Sequence, residues 1–202
     1  MEMRRPPKSP PSVGLGKRGR LALLALRWLI PLLLFGGTGM AIAAAIGGNF
    51  TLSTTNGKVV TERSFPSKWQ LIYFGYTSCT DVCSTVMQQV ATALADLGPA
   101  AAQMQPLFIT LDPEHDSPER LSQYLSNFDH RIIGLSGTEK QTNSATQSFR
   151  MYVKSRALGN DAYTIDHSSF LFLMKPGGRF AALLSGDSPG HKLADELRRQ
   201  LH

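Results

Sequence analysis

The chain has 202 residues, only two cysteines and a formal net charge of +6. That length suits one ordinary domain with an extension. The charge is local: residues 1–46 carry seven Arg or Lys against Glu2, and the remainder holds 14 basic and 14 acidic residues. A neutral body has no electrostatic footprint for nucleic acid, and that class of partner is set aside.

Residues 1–20, rich in Pro, Gly and cations, read as a disordered basic tail. Residues 21–46 read as a transmembrane anchor. The 19 residues from Trp28 to Ile46 are uncharged, and at about 1.5 Å per residue such a helix approaches the roughly 30 Å of a bilayer core. The nearby cations all precede it. The positive-inside bias therefore keeps the N-terminus in the cytoplasm and places residues 47–202 in a periplasm, or in an intermembrane space if the source is mitochondrial. A cleaved signal peptide ending near Ala43-Ala44-Ala45 is the alternative; the apolar run exceeds the usual length of about 7–15 residues for such a segment.

Past Gly47-Gly48, Asn56-Gly57 before Lys58-Val59-Val60 predicts a small hairpin. Trp69–Tyr76 reads as a buried strand. Thr80–Leu97 reads as a helix, because Cys83, Val86, Val90, Ala93, Leu94 and Leu97 recur at 3–4 spacing. Gly98-Pro99 stops it. A strand over Pro106–Leu111 follows, then a helix from Ser117-Pro118 to about Phe128, with Ser117 as cap and proline at the first turn. Ile132–Leu135 is a short strand and Thr138–Phe149 a polar helix. Met151–Lys154, Ser169–Met174 and Phe180–Leu184 are strands, the last two joined by Pro176-Gly177-Gly178. Ser188-Pro189 opens a final helix. This alternation predicts an α/β domain of three layers around a mixed sheet.

Cys79 and Cys83 lie in Gly75-Tyr76-Thr77-Ser78-Cys79-Thr80-Asp81-Val82-Cys83, after a strand and at a helix start. Two helical residues four apart differ by about 40° around the axis, with Cβ atoms about 5–6 Å apart. Such a pair can grip one soft ion, or close a disulfide if the loop relaxes. Thr80 as N-cap would leave both sulfurs near free N–H groups, favouring thiolates, with Asp81 partly opposing this. A purely structural disulfide would close a tiny loop and stabilise weakly.

A third ligand is sought among the histidines. His130, His191 and His202 read as solvated surface residues. His115, in Asp112-Pro113-Glu114-His115-Asp116, lies on a loop that can approach the cysteines, with Asp112 as a structural cap. His167 stands just before an apolar strand, where Asp166 is placed to orient its ring; a structural histidine is the competing reading. Met87 and Met104 are soft atoms expected to pack in the core.

The stretches Tyr73-Phe74-Gly75-Tyr76-Thr77-Ser78-Cys79-Thr80-Asp81-Val82-Cys83, Pro106-Leu107-Phe108-Ile109-Thr110-Leu111-Asp112-Pro113-Glu114, Asp166-His167-Ser168 and Pro176-Gly177-Gly178-Arg179-Phe180 together resemble the Sco/SenC family of copper chaperones. The resemblance spans roughly residues 48–202, and the anchor ahead of it also fits. It implies a thioredoxin-like fold and copper, as Cu(I) or Cu(II), held by Cys79, Cys83 and His167. It also implies an upstream copper donor, and delivery to the copper-bearing subunit of cytochrome c oxidase. Two thiolates and an imidazole independently suit copper. The family usually has proline where Thr80 and Ser84 stand, and often arginine at His115, so a looser cysteine loop is expected. The alternative function is a thiol–disulfide oxidoreductase using Cys79 and Cys83 as its redox-active pair. A peroxidase of the peroxiredoxin kind is disfavoured, because Pro-x-x-x-Thr-x-x-Cys is absent before Cys79.

Overall fold

The computed structural model describes residues 47–79, 81–159 and 162–201. The predicted tail (1–20), the anchor (21–46), Thr80 as helix cap and the terminal His202 lie outside the described residues.

The predicted N-terminal hairpin forms from β1 (Thr51–Thr54) and β2 (Val59–Thr61), with Gly57 at φ 81° in the turn. β3 (Trp69–Gly75) leads into α1 (Val82–Asp96), β4 (Met104–Thr110), α2 (Pro118–Leu125) and β5 (Ile133–Ser136). Next come α3 (Glu139–Ser148), the hairpin of β6 (Val153–Gly159) and β7 (Ala162–His167), then β8 (Phe170–Lys175), β9 (Arg179–Ser185) and α4 (Gly190–Leu201).

Seven strands form one sheet in the order β2-β1-β5-β4-β3-β8-β9. β4 runs parallel to both β3 and β5, and the outer pairs are antiparallel. The central strands read as continuous apolar runs because both faces are covered. Alternation divides β3 cleanly. Leu71 and Tyr73 join the core under α1, α2 and α4; Ile72 and Phe74 join the core shared with Phe149 at the end of α3. This is a three-layer, thioredoxin-like α/β domain with a mixed sheet, as predicted. The cap expected at Ser117 is present and accepts the Arg120 N–H; α3 begins at a capping box that Thr138 closes with Gln141.

One region departs from expectation. The short strand expected at Met151–Lys154 is the longer β6, and it pairs with a strand the sequence pattern did not announce, β7. All of β6 is exposed, so no apolar alternation marks it. Its ties are polar, with Arg156 Nε 2.7 Å from Asp166 Oδ2. The available signal was the sequence Gly159-Asn160-Asp161, whose residue types favour turns.

β3 and β4 end side by side, and a buried carboxylate joins the loops that follow. Asp116, 1 % exposed, accepts the Thr77 N–H at 3.1 Å, the Thr77 hydroxyl at 2.5 Å and the Thr110 hydroxyl at 2.6 Å. Removing it strands three donors. Asp116→Ala is expected to cost about 2–4 kcal/mol, measured by chemical denaturation. A loss below about 0.5 kcal/mol would show the clamp to be dispensable.

Candidate metal centre

Tyr76 and Thr77 carry the chain off β3, and the Cys79 N–H closes the turn on the Tyr76 carbonyl at 3.2 Å. Of the two cysteines only Cys83 is helical. α1 begins at Val82, and its N-cap, Asp81, makes no side-chain capping bond. Cys79 lies ahead of the helix, and its sulfur instead accepts the Cys83 N–H at 3.4 Å. The sulfur thus takes one of the N–H groups that every helix start leaves unpaired. Cys83, in the first turn, is fully buried, and both cysteines are free rather than joined in the small-loop disulfide.

His167 ends β7, 84 residues from Cys83, yet its Nε2 lies 3.7 Å from the Cys83 sulfur. Tyr73 and Tyr76 present ring edges to it at centroid distances of 6.1 and 6.2 Å. Its Nδ1 faces the Ser168 carbonyl at 3.1 Å. A carbonyl only accepts, so this bond places a hydrogen on Nδ1 and turns Nε2 towards the sulfurs. Asp166 does not orient the ring. Neighbouring strand residues point to opposite sides, and Asp166 is committed to Arg156.

The ligand atoms of Cys79, Cys83 and His167 all lie within 4.8 Å of one another, the one such group of three among the described residues. Donors about 2.0–2.3 Å from a shared ion sit about 3.5–4 Å apart, so small adjustments would suffice. His115 does not join them. It bonds Asp112 at 2.8 Å and packs on Tyr163, whose hydroxyl also donates to Asp112; this carboxylate raises the His115 pKa. His130 and His191 are exposed, and Met87 and Met104 are buried in the core, as expected.

The two sulfurs are electrostatically unequal. Hydrogen bonding from Cys83, then from His167 and the Cys83 N–H, holds Cys79 down at about 4 against the opposing effect of burial. Cys83 is pushed well above the ordinary thiol value, first by its bond to Cys79 and then by burial. The pair therefore holds one thiolate, on the less buried sulfur, and one proton.

Sequence reasoning missed Asp116 and Tyr73. The threonines at the ends of two adjacent strands were the signal for a buried acceptor. Tyr73 read simply as part of an apolar strand.

A model of the SCO1/SenC family matches residues 38–202. The chain belongs to this family. The human mitochondrial SCO2 homolog is 33% identical over 162 residues, covering 78% of this chain and 61% of its own length. A SCO2-like protein of Rickettsia conorii is 34% identical over 158 residues, covering 77% of each. The chain thus spans less than two thirds of the human member. Among solved structures, copper-bound ScoI of Bradyrhizobium japonicum is similar at 38% identity and a TM-score of 0.71, over 77% of this chain and 99% of that one. Copper-bound yeast Sco1 is similar at 33% identity and a TM-score of 0.71, over 78% and 88%.

The depressed Cys79 value fixes a pH dependence. A lowered thiol pKa means that thiolate persists above about 4 and is lost below it. The alkylation rate of Cys79 with iodoacetamide is expected to stay flat from about pH 8 to about pH 5 and then fall. His167→Ala should move the inflection upwards. An inflection near the ordinary thiol value of about 8.5 would contradict this arrangement.

Proposed function

We propose that this SCO1/SenC protein is a membrane-anchored copper metallochaperone whose ligands are Cys79, Cys83 and His167. The observation that carries the reading is the convergence of two sulfurs and an imidazole nitrogen within 4.8 Å. Soft thiolates with an imidazole suit Cu(I) and can also hold Cu(II). The similar ScoI and Sco1 structures with copper bound support the same cargo. The family resemblance supplies the recipient, the copper-bearing subunit of cytochrome c oxidase, and an upstream donor protein.

The chain's own groups divide the work. Cys79 presents a ready thiolate at the less buried position, where a donor or acceptor protein can reach it. Cys83 must release its proton for both sulfurs to ligate, which couples loading to pH. The Ser168 carbonyl holds the hydrogen on Nδ1, so that Nε2 is the ring nitrogen that gives its lone pair to copper. The surrounding aromatic rings exclude water from the inner sulfur.

Residues 47–202 form the copper-binding domain in this reading, and residues 21–46 tether it to the inner membrane with the domain on the periplasmic or intermembrane-space side. The support for the tether is the uncharged run from Trp28 to Ile46 behind a cluster of cations. Among the described residues no helix is long and apolar enough to span a membrane.

A second reading, thiol–disulfide exchange on an oxidase subunit or another periplasmic partner, is favoured by the free cysteine pair and the low Cys79 value. A thiolate of that kind is a good leaving group. The two activities are compatible, since copper loading needs both cysteines reduced.

Anaerobic titration of the full chain in detergent with Cu(I), against a chromophoric chelator, is expected to give one ion per chain. His167→Ala should weaken binding by at least about tenfold, a scale that even changes outside the ligand shell reach. Parent-like affinity in that variant would refute the three-ligand site. The full chain should remain in membranes through an alkaline carbonate wash; its release would refute the anchor. Exchange of the Cys79–Cys83 disulfide with a mixed-disulfide substrate tests the second reading, and an inert, strongly reducing bond would sink it.

A further inference from the structure

Two buried hydroxyls beside the cysteines make no hydrogen bond of good geometry, although they lie within each other's reach and that of Cys83: Tyr73 Oη, on a side chain 1 % exposed, and Ser169 Oγ. Unpaired buried donors are uncommon and costly, so each calls for a physical reason. Both belong to one place. Tyr73 leaves β3 on the face covered by α1 and shares a core with Cys83. Its ring centroid lies 6.1 Å from those of Phe108 and of His167, and its hydroxyl is closed off from solvent. The polar side chains acting on that hydroxyl are Cys83, Ser169 and, farther off, Cys79. Packing alone would be served as well by phenylalanine, which brings no unpaired donor.

We propose that Tyr73 donates a hydrogen bond to the Cys83 sulfur when that sulfur holds copper, with Ser169 donating in turn to the Tyr73 oxygen, and that this relay sets the site's preference for Cu(I) over Cu(II). The proposal rests on the copper site argued above. A neutral thiol is a weak acceptor, whereas a metal-bound thiolate is a stronger one, and no water competes at this depth. A donor at a ligand sulfur draws electron density away from the metal. That favours the ion of lower charge, and hydrogen bonds to ligand sulfurs are an established control on metal potentials. Tyr73 touches the metal only through Cys83, so it is a positioning residue rather than a ligand.

The test uses the full chain in detergent, with Cu(I) and Cu(II) affinities measured separately by chelator competition and the absorption spectrum of the Cu(II) form recorded. Tyr73→Phe is expected to bind one ion with the Cu(I)-to-Cu(II) affinity ratio lowered about tenfold, equivalent to about 59 mV for a one-electron couple. Its sulfur-to-Cu(II) charge-transfer band should move to lower energy. Ser169→Ala should shift both readouts in the same direction by a smaller amount. A folded Tyr73→Phe protein with the parent's ratio and band would overturn the proposal while leaving the copper site standing. If Tyr73→Phe does not fold, Ser169→Ala decides on the same two readouts. Failure of the parent to bind copper would overturn the site and the relay together.

Discussion

The cysteine loop is built around one buried negative charge. Asp116 comes from the loop after β4, yet its hydrogen-bond partners are Thr77, in the loop before Cys79, and Thr110, at the end of β4. A carboxylate at 1 % exposure persists only when donors replace its lost water. Three such bonds fix where the chain leaves β3, and hence where Cys79 meets the start of α1. On the outer side, Arg120 of α2 adds a bond to Ser78 at 2.9 Å. The family's usual prolines at Thr80 and Ser84 are missing here, yet side-chain bonds from α2 and the loop before it constrain the same turn. Ser84 contributes directly, with its hydroxyl 3.5 Å from that of Tyr124.

With the loop fixed, the inequality of the two sulfurs follows. Cys83 is fully buried in the core under α1, where a charge is expensive. Cys79 lies nearer the surface, takes a helix N–H and faces His167. The negative charge therefore settles on Cys79, and the proton stays on Cys83, donated towards its neighbour. The same geometry that makes one sulfur a stable thiolate makes the other reluctant to ionise. A bound cation removes that reluctance, because it supplies the charge that buried surroundings lack.

Legibility in the sequence tracks how local each feature is. β3 and α1 are visible because a continuous apolar run and a 3–4 spacing are properties of adjacent residues, and the buried face of α1 matches the one predicted. His167 could be proposed from its place before β8 and from the family resemblance, but spacing cannot bring together residues 84 apart. Asp116 was invisible for the same reason, since its Thr77 partner is 39 residues away. The β6–β7 hairpin escaped because an exposed ribbon carries no burial pattern. Asp166 was misread because sequence adjacency to His167 suggested proximity to its ring, whereas a strand sends the two side chains to opposite sides.

The site is asymmetric in what holds each proposed ligand. Cys83 belongs to the core beneath α1, and moving it would open that core. His167 arrives on a hairpin whose one buried residue is Ile165 among those described, worth about 1.5–3 kcal/mol of apolar burial. Half-buried Tyr163 packs against the same core, and the rings of Tyr73 and Tyr76 flank His167; the other ties are polar. Tyr76 bonds the Ile165 N–H at 3.3 Å and Thr164 at 3.3 Å, and Tyr163 donates to Asp112. Each such bond contributes roughly 0.5–1.5 kcal/mol net, more where a carboxylate accepts. The imidazole is therefore held by a few modest contacts, and the inner sulfur by the fold itself. The copper carrier proposed above would have to bind its cargo firmly and still surrender it. A rigid buried thiolate, a more accessible one and an imidazole on a lightly held arm meet that requirement, because the arm can yield at a smaller cost to the core than Cys83 can.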